Sequence, residues 1–144
     1  YVAGRWIGGT LTNYAEIRSR VNKYEKLLED KEKGEFLKYT KKERMLIDKD
    51  IEKLERNFKG LVAMKGMPSA IFIIDPKAEH IALSESKKAK IKSIALLNTD
   101  CDIRSVDYPI PGNDSSMASI KFFIEKIAGA YEEGVKDKAS SIPE

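Results

Sequence analysis

Hydrophobic residues recur at a helical spacing along two stretches of the chain, between residues 13 and 61. The intervals are 3, 4, 3 and 4 in the first stretch and 4, 3, 4 and 3 in the second. The residues are Tyr14, Ile17, Val21, Tyr24 and Leu28, followed by Ile47, Ile51, Leu54, Phe58 and Leu61. This spacing is typical of the seam of a coiled coil. We therefore predict two long antiparallel helices that protrude as a coiled-coil hairpin.

The residues that flank the two stretches predict where each helix begins and where the chain reverses. Asn13 with Glu16, and Thr40 with Glu43, have the spacing of capping boxes. Residues 30–38 contain a glycine and alternating charges, and they continue neither apolar seam. We place the tip of the hairpin there. At about 1.5 Å of rise per residue, each arm is roughly 27–33 Å long.

The second half of the chain contains three short apolar runs. Residues 70–75 (AIFIID) and 94–97 (IALL) show no polar alternation, which is typical of strands buried on both faces of a parallel sheet. Residues 108–110 predict a third strand. Pro109 cannot donate a backbone hydrogen bond, which places this strand towards an edge of the sheet.

Helical segments are predicted after the strands. One runs from Pro76 to about Lys90, and the other runs from about Ser116 to Tyr131 and is ended by Gly134. The resulting order of elements predicts an α/β layered fold. Because three strands make a thin sheet, we expect further strands upstream of residue 1. The predicted segments are a glycine-rich lead-in (1–12), the hairpin (13–62), an α/β core (63–134) and a polar tail (135–144).

Charge is distributed unevenly along the 144 residues, whose formal net charge is +3. Residues 1–66 contain 16 Lys or Arg and 11 Asp or Glu, whereas residues 67–144 contain 10 and 12. The first part therefore has a net charge of +5 and the second of −2. This excess favours a polyanionic partner, with a solvated lysine-rich helix as the alternative. No apolar run approaches 18 residues, so we predict no membrane span.

A glycine-rich turn, residues 4–13, leads into the first predicted helix. Free N–H groups and the helix dipole at such a position attract anions, so phosphate is a plausible ligand. Arg5 can make a bidentate contact to phosphate, and Trp6 offers a face for base stacking. In the alternative interpretation, Trp6 is a core residue and the glycines only form a turn.

Polar residues after the predicted strands offer little for catalysis. They are Asp75, Asn98, Asp100, Asp102, Asn113 and Asp114. Such a cluster could bind a divalent cation, but the same residue types cap helices and form turns. His80, the single histidine, lies on a predicted helix and is interpreted as structural. The acidic neighbours of Cys101, the single cysteine, predict a raised thiol pKa and an inert side chain. A P-loop and a G-x-G-x-x-G motif are both absent. We predict no catalytic residue, no metal site and no cofactor.

Four segments resemble the signature segments of a known family, ribosomal protein S-two of the small subunit. They are residues 4–13 (GRWIGGTLTN), 66–75 (GMPSAIFIID), 79–82 (EHIA) and 110–114 (IPGND). They occur in the family's order, with its helical hairpin between the first two, and the resemblance extends to about Gly134. The hairpin is similar to that of the bacterial and organellar branch. The chain lacks the family's N-terminal part, and the loop that the family typically begins with Asp begins here with Asn98.

The resemblance implies a flavodoxin-like parallel sheet flanked by helices, with a protruding coiled-coil hairpin. It also implies a non-enzymatic, structural constituent of the small ribosomal subunit that supports translation in the bacterial cytoplasm or an organelle. The implied partners are small-subunit ribosomal RNA and neighbouring ribosomal proteins, and no membrane. In bacteria the family also helps to hold ribosomal protein S-one, so that protein is a candidate partner.

The residue chemistry and the resemblance both predict RNA contacts, made mainly to phosphates. A rigid helix surface reads duplex RNA by shape and backbone rather than by base. The predicted RNA-binding residues are Arg5, Trp6, Arg18, Arg20, Lys23, Lys26, Lys41, Lys42, Arg44, Lys49 and Lys53. Two alternatives remain open. One is a flavodoxin-like nucleotide- or cofactor-binding protein that uses the loops at residues 98–102 and 113–114, and the other is a coiled-coil adaptor that binds only protein.

Overall fold

The computed structural model describes residues 1–140. The elements follow in the order α1 (Tyr14–Glu32), α2 (Lys41–Phe58), β1 (Ala70–Ile74), α3 (His80–Lys88), β2 (Lys92–Leu97), β3 (Tyr108–Pro111) and α4 (Met117–Ser140). Short 3₁₀ turns span Glu35–Lys38, Lys59–Leu61 and Ile103–Ser105. The chain forms two compact units, one of residues 1–69 and 84–91, the other of residues 70–83 and the chain from Lys92 onward. The predicted α/β class is confirmed.

In the first unit, α1 and α2 pack against each other through their apolar faces. Ile17 and Val21 of α1 lie in one buried cluster with Phe58, the last residue of α2, and with Leu61 beyond it. Towards the other ends of the helices, Lys31 Nζ lies 2.7 Å from Asp48 Oδ1. The start of α1 therefore lies beside the end of α2, and the two helices run antiparallel.

The apolar pattern correctly identifies the residues that face inward in this helix pair. Six of the ten predicted seam residues are buried and the other four are half-buried. The buried ones are Ile17, Val21, Tyr24, Ile51, Phe58 and Leu61. That the pair forms a coiled coil and protrudes stays a prediction.

The two predicted capping boxes have different outcomes. The box at α2 is confirmed, since the Glu43 N–H donates to Thr40 Oγ1 at 3.4 Å and the Thr40 N–H donates to Glu43 Oε2 at 2.9 Å. The box at α1 is wrong, because the Asn13 side chain accepts no capping hydrogen bond. Asn13 has φ −131° and ψ 51°, which is not the extended backbone from which an N-cap side chain reaches the first turn.

In the second unit, the three strands form one parallel sheet in the order β1-β2-β3. Phe72 of β1 is in register with Ile94 of β2, and Leu96 of β2 with Ile110 of β3. The central strand β2 is buried on both faces, because Ala95, Leu96 and Leu97 are all at most 3% exposed. This agrees with its uninterrupted apolar sequence. The predicted edge position of the third strand is confirmed within this sheet.

Close packing surrounds Gly112, which follows β3. A methyl group there would lie 2.8 Å from the Phe123 ring of α4 and 2.9 Å from Leu96 Cδ1. Phe123 therefore packs onto the sheet only because residue 112 has no side chain.

Two predicted helix boundaries are wrong. The first helix after β1 begins at His80, not at Pro76, and residues 76–79 form a turn. Asp75 has a left-handed backbone, with φ 56°. Its Oδ1 accepts from the N–H groups of Lys77 (3.1 Å) and Ala78 (3.0 Å). This local turn of an aspartate competes with helix formation and delays it.

The final helix α4 does not end at Gly134 but continues to Ser140. A glycine inside a helix costs only about 1 kcal/mol, and the surrounding glutamates and lysines favour helix formation. Residues 135–140 are therefore helical, and the remainder of the predicted tail, residues 141–144, lies outside the described residues. Within the described chain, no helix is both long and apolar enough to cross a membrane.

Candidate nucleic-acid interface

The glycine-rich turn before α1 does gather backbone N–H groups around an anion, but that anion belongs to the protein itself. The Glu85 carboxylate of α3 accepts from the N–H groups of Gly9, Leu11 (2.9 Å) and Thr12 (3.4 Å). Glu85 is only 6% exposed. The predicted phosphate position is therefore occupied by a carboxylate. The prediction that this turn offers free N–H groups to a ligand is wrong.

Arg5 and Trp6 precede this turn and differ in their exposure. Arg5 is exposed, as a residue that contacts RNA must be. Trp6 is half-buried, and its Nε1 is buried without a hydrogen-bond partner among the described residues. The neighbouring Ile7 packs against the cluster of the first unit. This placement favours the interpretation of Trp6 as a packing residue.

Some predicted cations of α1 are already engaged within the protein. Arg18 is half-buried, donates to the Val62 carbonyl oxygen at 3.4 Å and lies 3.3 Å from Glu25 Oε2. Arg20 pairs with Glu16 at 3.2 Å, one turn away. Lys23 and Lys26 are exposed and form no ion pair within the described residues. Two of the four predicted α1 cations thus remain available to an external anion.

The predicted cations of α2 are all exposed. Three of them, Lys41, Lys42 and Arg44, lie in the first turn, where positive charge is unfavourable beside the helix dipole. Lys49 and Lys53 lie further along. In the part of the chain that the structure describes, none of the five forms an ion pair. Their charges are therefore not neutralised by the protein itself.

Arg56, which is not among the residues predicted from the sequence, belongs with these residues because it is also exposed. Lys42, Lys49 and Arg56 recur every seven residues, which is about two helical turns, and therefore lie in one row. Lys53 falls beside the row, one turn from both Lys49 and Arg56. Lys49 and Lys53 are each two positions from the buried Ile51, which places them on the opposite, outward face. We call Lys42, Lys49, Lys53 and Arg56 the α2 stripe. The seven-residue spacing from Lys42 was the signal that could have identified Arg56.

The polar residues after the strands mainly hold their own loops. Asp102 accepts from the Arg104 N–H at 3.0 Å, and Asp114 accepts from the Asn98 N–H at 3.1 Å. Asn113 Oδ1 accepts from the Ser115 and Ser116 N–H groups, which precede α4, both at 2.9 Å. These contacts agree with the turn-forming and capping role that the sequence favours.

Cys101 lies beside these acids. The pKa of the Cys101 thiol is raised above its usual value, mainly by partial burial and, to a smaller extent, by the adjacent Asp100 carboxylate. This confirms the predicted direction and keeps the thiol protonated near neutral pH. Asp75, Cys101 and Asp114 present possible ligand atoms within 4.8 Å of one another. Acids often approach this closely without binding an ion, and the predicted absence of a metal site stays a prediction.

The described chain thus combines a parallel α/β sheet with a pair of helices, several of whose exposed cations form no ion pair among the described residues. The particular family follows from comparison with known proteins. The profile described as Ribosomal protein S2 matches residues 1–134, and the chain belongs to that family. The resemblance seen in the four sequence segments is confirmed.

Curated relatives agree with this assignment. Proteins named small ribosomal subunit protein uS2 from Petrotoga mobilis and Anaplasma phagocytophilum are each 44% identical to this chain, over 142 and 144 residues. The alignments cover 99% and 98% of the chain, but 49% and 47% of the relatives. The relative of the same name from Chloroflexus aggregans is 40% identical, and 59% of it is covered. The chain thus spans about half the length of these relatives. The alternative of a nucleotide- or cofactor-binding protein receives no support from these comparisons.

Proposed function

We propose that this chain serves as a structural, non-catalytic constituent of the small ribosomal subunit and supports translation. Its partners are small-subunit ribosomal RNA and neighbouring ribosomal proteins, with ribosomal protein S-one as a candidate neighbour in bacteria. Its location is the ribosome. Membership of the ribosomal protein S2 family supports the assembly, and the observation that supports RNA contact is the set of exposed, unpaired cations on the first unit.

The proposed RNA contact is electrostatic. Lysine and arginine side chains that neutralise phosphates release condensed counterions, which supplies affinity without reading the base sequence. Of the residues predicted from the sequence, we retain those that are exposed and unpaired within the described chain. They are Arg5, Lys23, Lys26, Lys41, Lys42, Arg44, Lys49 and Lys53. Arg18 and Arg20 take a secondary role because internal acceptors already hold their guanidinium groups.

Co-sedimentation with small ribosomal subunits that lack this protein tests the proposal. One variant replaces residues 27–47 by a short glycine-rich loop, which shortens the α1–α2 pair but keeps the buried cluster of Ile17, Val21, Phe58 and Leu61. A control variant replaces residues 99–102, in the loop after β2, by glycine and serine. We expect the unaltered chain and the control to join the subunit, and the shortened chain, which lacks Lys41, Lys42 and Arg44 but keeps the other five proposed contact residues, to bind it more weakly.

Two results would contradict the proposal. One is failure of the unaltered chain to bind the subunit at any salt concentration. The other is that the loop control loses binding while the shortened variant retains it, which would favour a ligand at the ends of the strands.

A further inference from the structure

We infer that the α2 stripe binds the phosphate backbone of double-helical RNA, and that α2 rather than α1 makes the main contact of the helix pair. This inference rests on the proposed function and specifies the partner and the face that it uses. Four observations support it. They are how far the cations are paired with acids, how the cations are spaced, how long the row is, and whether α2 offers an exposed aromatic residue.

The two helices differ in how far their positive charge is neutralised. On α1, Arg18 and Arg20 are bound to Glu25 and Glu16. Lys26 is unpaired, but Glu29 and Asp30 lie one turn further along the same face and reduce its field. On α2, the four stripe residues have no ion pair within the described chain. Asp50 and Glu52 likewise lie one turn from members of the stripe, so four cations face two acids on α2, whereas Lys23 and Lys26 face two acids on α1. The outward face of α2 is therefore the more positive of the two.

The spacing of the stripe is unfavourable for an isolated helix. Lys49 and Lys53 are four residues apart, and Lys53 and Arg56 are three apart, so like charges lie one turn from each other. Each such pair destabilises a helix by about 0.2–0.5 kcal/mol. Asp50 and Glu52, one turn from members of the stripe, offset part of this repulsion, but the row itself contains no acid. A bound polyanion would relieve the repulsion that remains.

The length and composition of the stripe fit a duplex. At about 1.5 Å per residue, the row from Lys42 to Arg56 is about 21 Å long, with cations about 10 Å apart. A straight, rigid row can follow the regular backbone of an A-form helix, which proteins recognise mainly by shape and phosphate contacts. Single-stranded RNA is held instead by stacking on aromatic rings. The single aromatic residue of α2, Phe58, is only 5% exposed.

Matched double variants of the full chain test the inference. K49Q/K53Q removes two exposed, unpaired lysines from α2, and K23Q/K26Q removes two of the same kind from α1. Glutamine keeps a high helix propensity, and circular dichroism would verify that each variant is folded. Binding would be measured to an RNA duplex of about 20 base pairs and to a single strand of the same length, across about 0.05–0.3 M salt.

The unaltered chain should bind the duplex more tightly than the single strand. For the duplex, K49Q/K53Q should reduce the slope of log affinity against log salt by about 2, whereas K23Q/K26Q should reduce it by less than 1. Adding K42Q and R56Q to K49Q/K53Q should reduce the slope by about 4 in total.

Several outcomes would overturn the inference. Equal losses in the two double variants would refute the preference for α2, and equal binding of duplex and single strand would refute the duplex. If K49Q/K53Q abolishes incorporation into small subunits but leaves duplex affinity unchanged, the stripe contacts a protein instead. In each of these cases the unaltered chain still joins the subunit, so the proposed function stands. Failure of the unaltered chain to join it would refute the proposed function itself.

Discussion

At the scale of single residues, the Glu85 carboxylate determines the conformation of a loop that lies 73 to 76 positions earlier in the sequence. Three backbone N–H groups would otherwise be left without acceptors in a largely buried turn. Hydrogen bonds to a charged acceptor are stronger than neutral ones, and leaving a buried donor unsatisfied costs about 1–3 kcal/mol. The side chain therefore holds the glycine-rich turn and the end of α3 in one unit.

We expect E85A to lower the free energy of unfolding by about 2–4 kcal/mol, because several N–H groups lose their acceptor together. E85Q should cost less, since it keeps one carbonyl oxygen. Urea unfolding of the full chain measures both, with the exposed Lys88 on the same helix as control in K88Q. Phosphate should stabilise E85A more than the unaltered chain, since the vacated N–H groups form an anion site. An unaltered urea midpoint for E85A would contradict this account.

Asp107 is a second residue whose contacts have a measurable consequence. Its carboxylate accepts from the Ser93 N–H (2.9 Å), the Ser93 hydroxyl (2.8 Å) and Lys92 Nζ (3.3 Å). These contacts lower the pKa of Asp107 from 3.8 to about 2, and the hydrogen bond from the Ser93 backbone has the largest effect. Because the pKa of Asp107 is lower in the folded chain than in the unfolded chain, these contacts stabilise the folded chain fully above pH 3.8. This stabilisation is lost as the pH falls through about 2.

The unfolding midpoint in urea should therefore fall between pH 4.5 and about 2 by more in the unaltered chain than in D107N. S93A should lie between the two, because it removes the hydroxyl but keeps the backbone donor. A D107N profile as steep as that of the unaltered chain would show that other groups cause the acid sensitivity.

At the scale of secondary-structure elements, α1 and α2 begin with the same sequence signal but only α2 uses it. The Glu43 carboxylate receives hydrogen bonds from the Thr40 backbone and hydroxyl, and these lower the pKa of Glu43. The start of α1 is instead fixed by the chain that precedes it. There the Asn13 N–H donates to the Gly9 carbonyl oxygen at 2.8 Å, and Gly9 itself donates to Glu85.

T40A should consequently destabilise the protein by about 1 kcal/mol, the usual cost of losing an N-cap side chain. N13A should cost only a few tenths of a kcal/mol, because no capping bond is lost. Thermal unfolding followed by circular dichroism compares the two variants directly. Equal costs would mean that the Thr40 bonds do not hold the helix start.

At the scale of the whole molecule, the two compact units carry different chemistry. The first contains the helix pair with its exposed cations, and the second contains the parallel sheet with acids that mostly cap and close its loops. The excess of positive charge in residues 1–66 follows this division closely. Under the proposed function, RNA contact and the sheet thus reside in different units, and substitutions on the α2 stripe should leave the sheet intact.

The sequence alone determined those features that depend on neighbours along the chain. Apolar residues at helical spacing identified the inward faces of α1 and α2, and the uninterrupted runs around Ile73 and Leu96 identified two strands. Both follow because burial of a repeating face is a local property of helices and strands. The predicted burial on both faces holds for β2 but not for β1, of which only Ile73 is buried. Four short segments were also sufficient to indicate the family.

Only the tertiary structure decided which polar groups meet. It placed Glu85 in the glycine-rich turn where an external phosphate was expected, bound Arg18 to the Val62 carbonyl, and left the α2 stripe without an ion pair within residues 1–140. These outcomes depend on residues that are distant in sequence, and no periodicity encodes such a pairing. The tertiary structure also decided the helix boundaries at His80 and Ser140. A glycine or proline makes a helix less favourable by only about 1 to 3 kcal/mol, and the surrounding contacts can outweigh that cost.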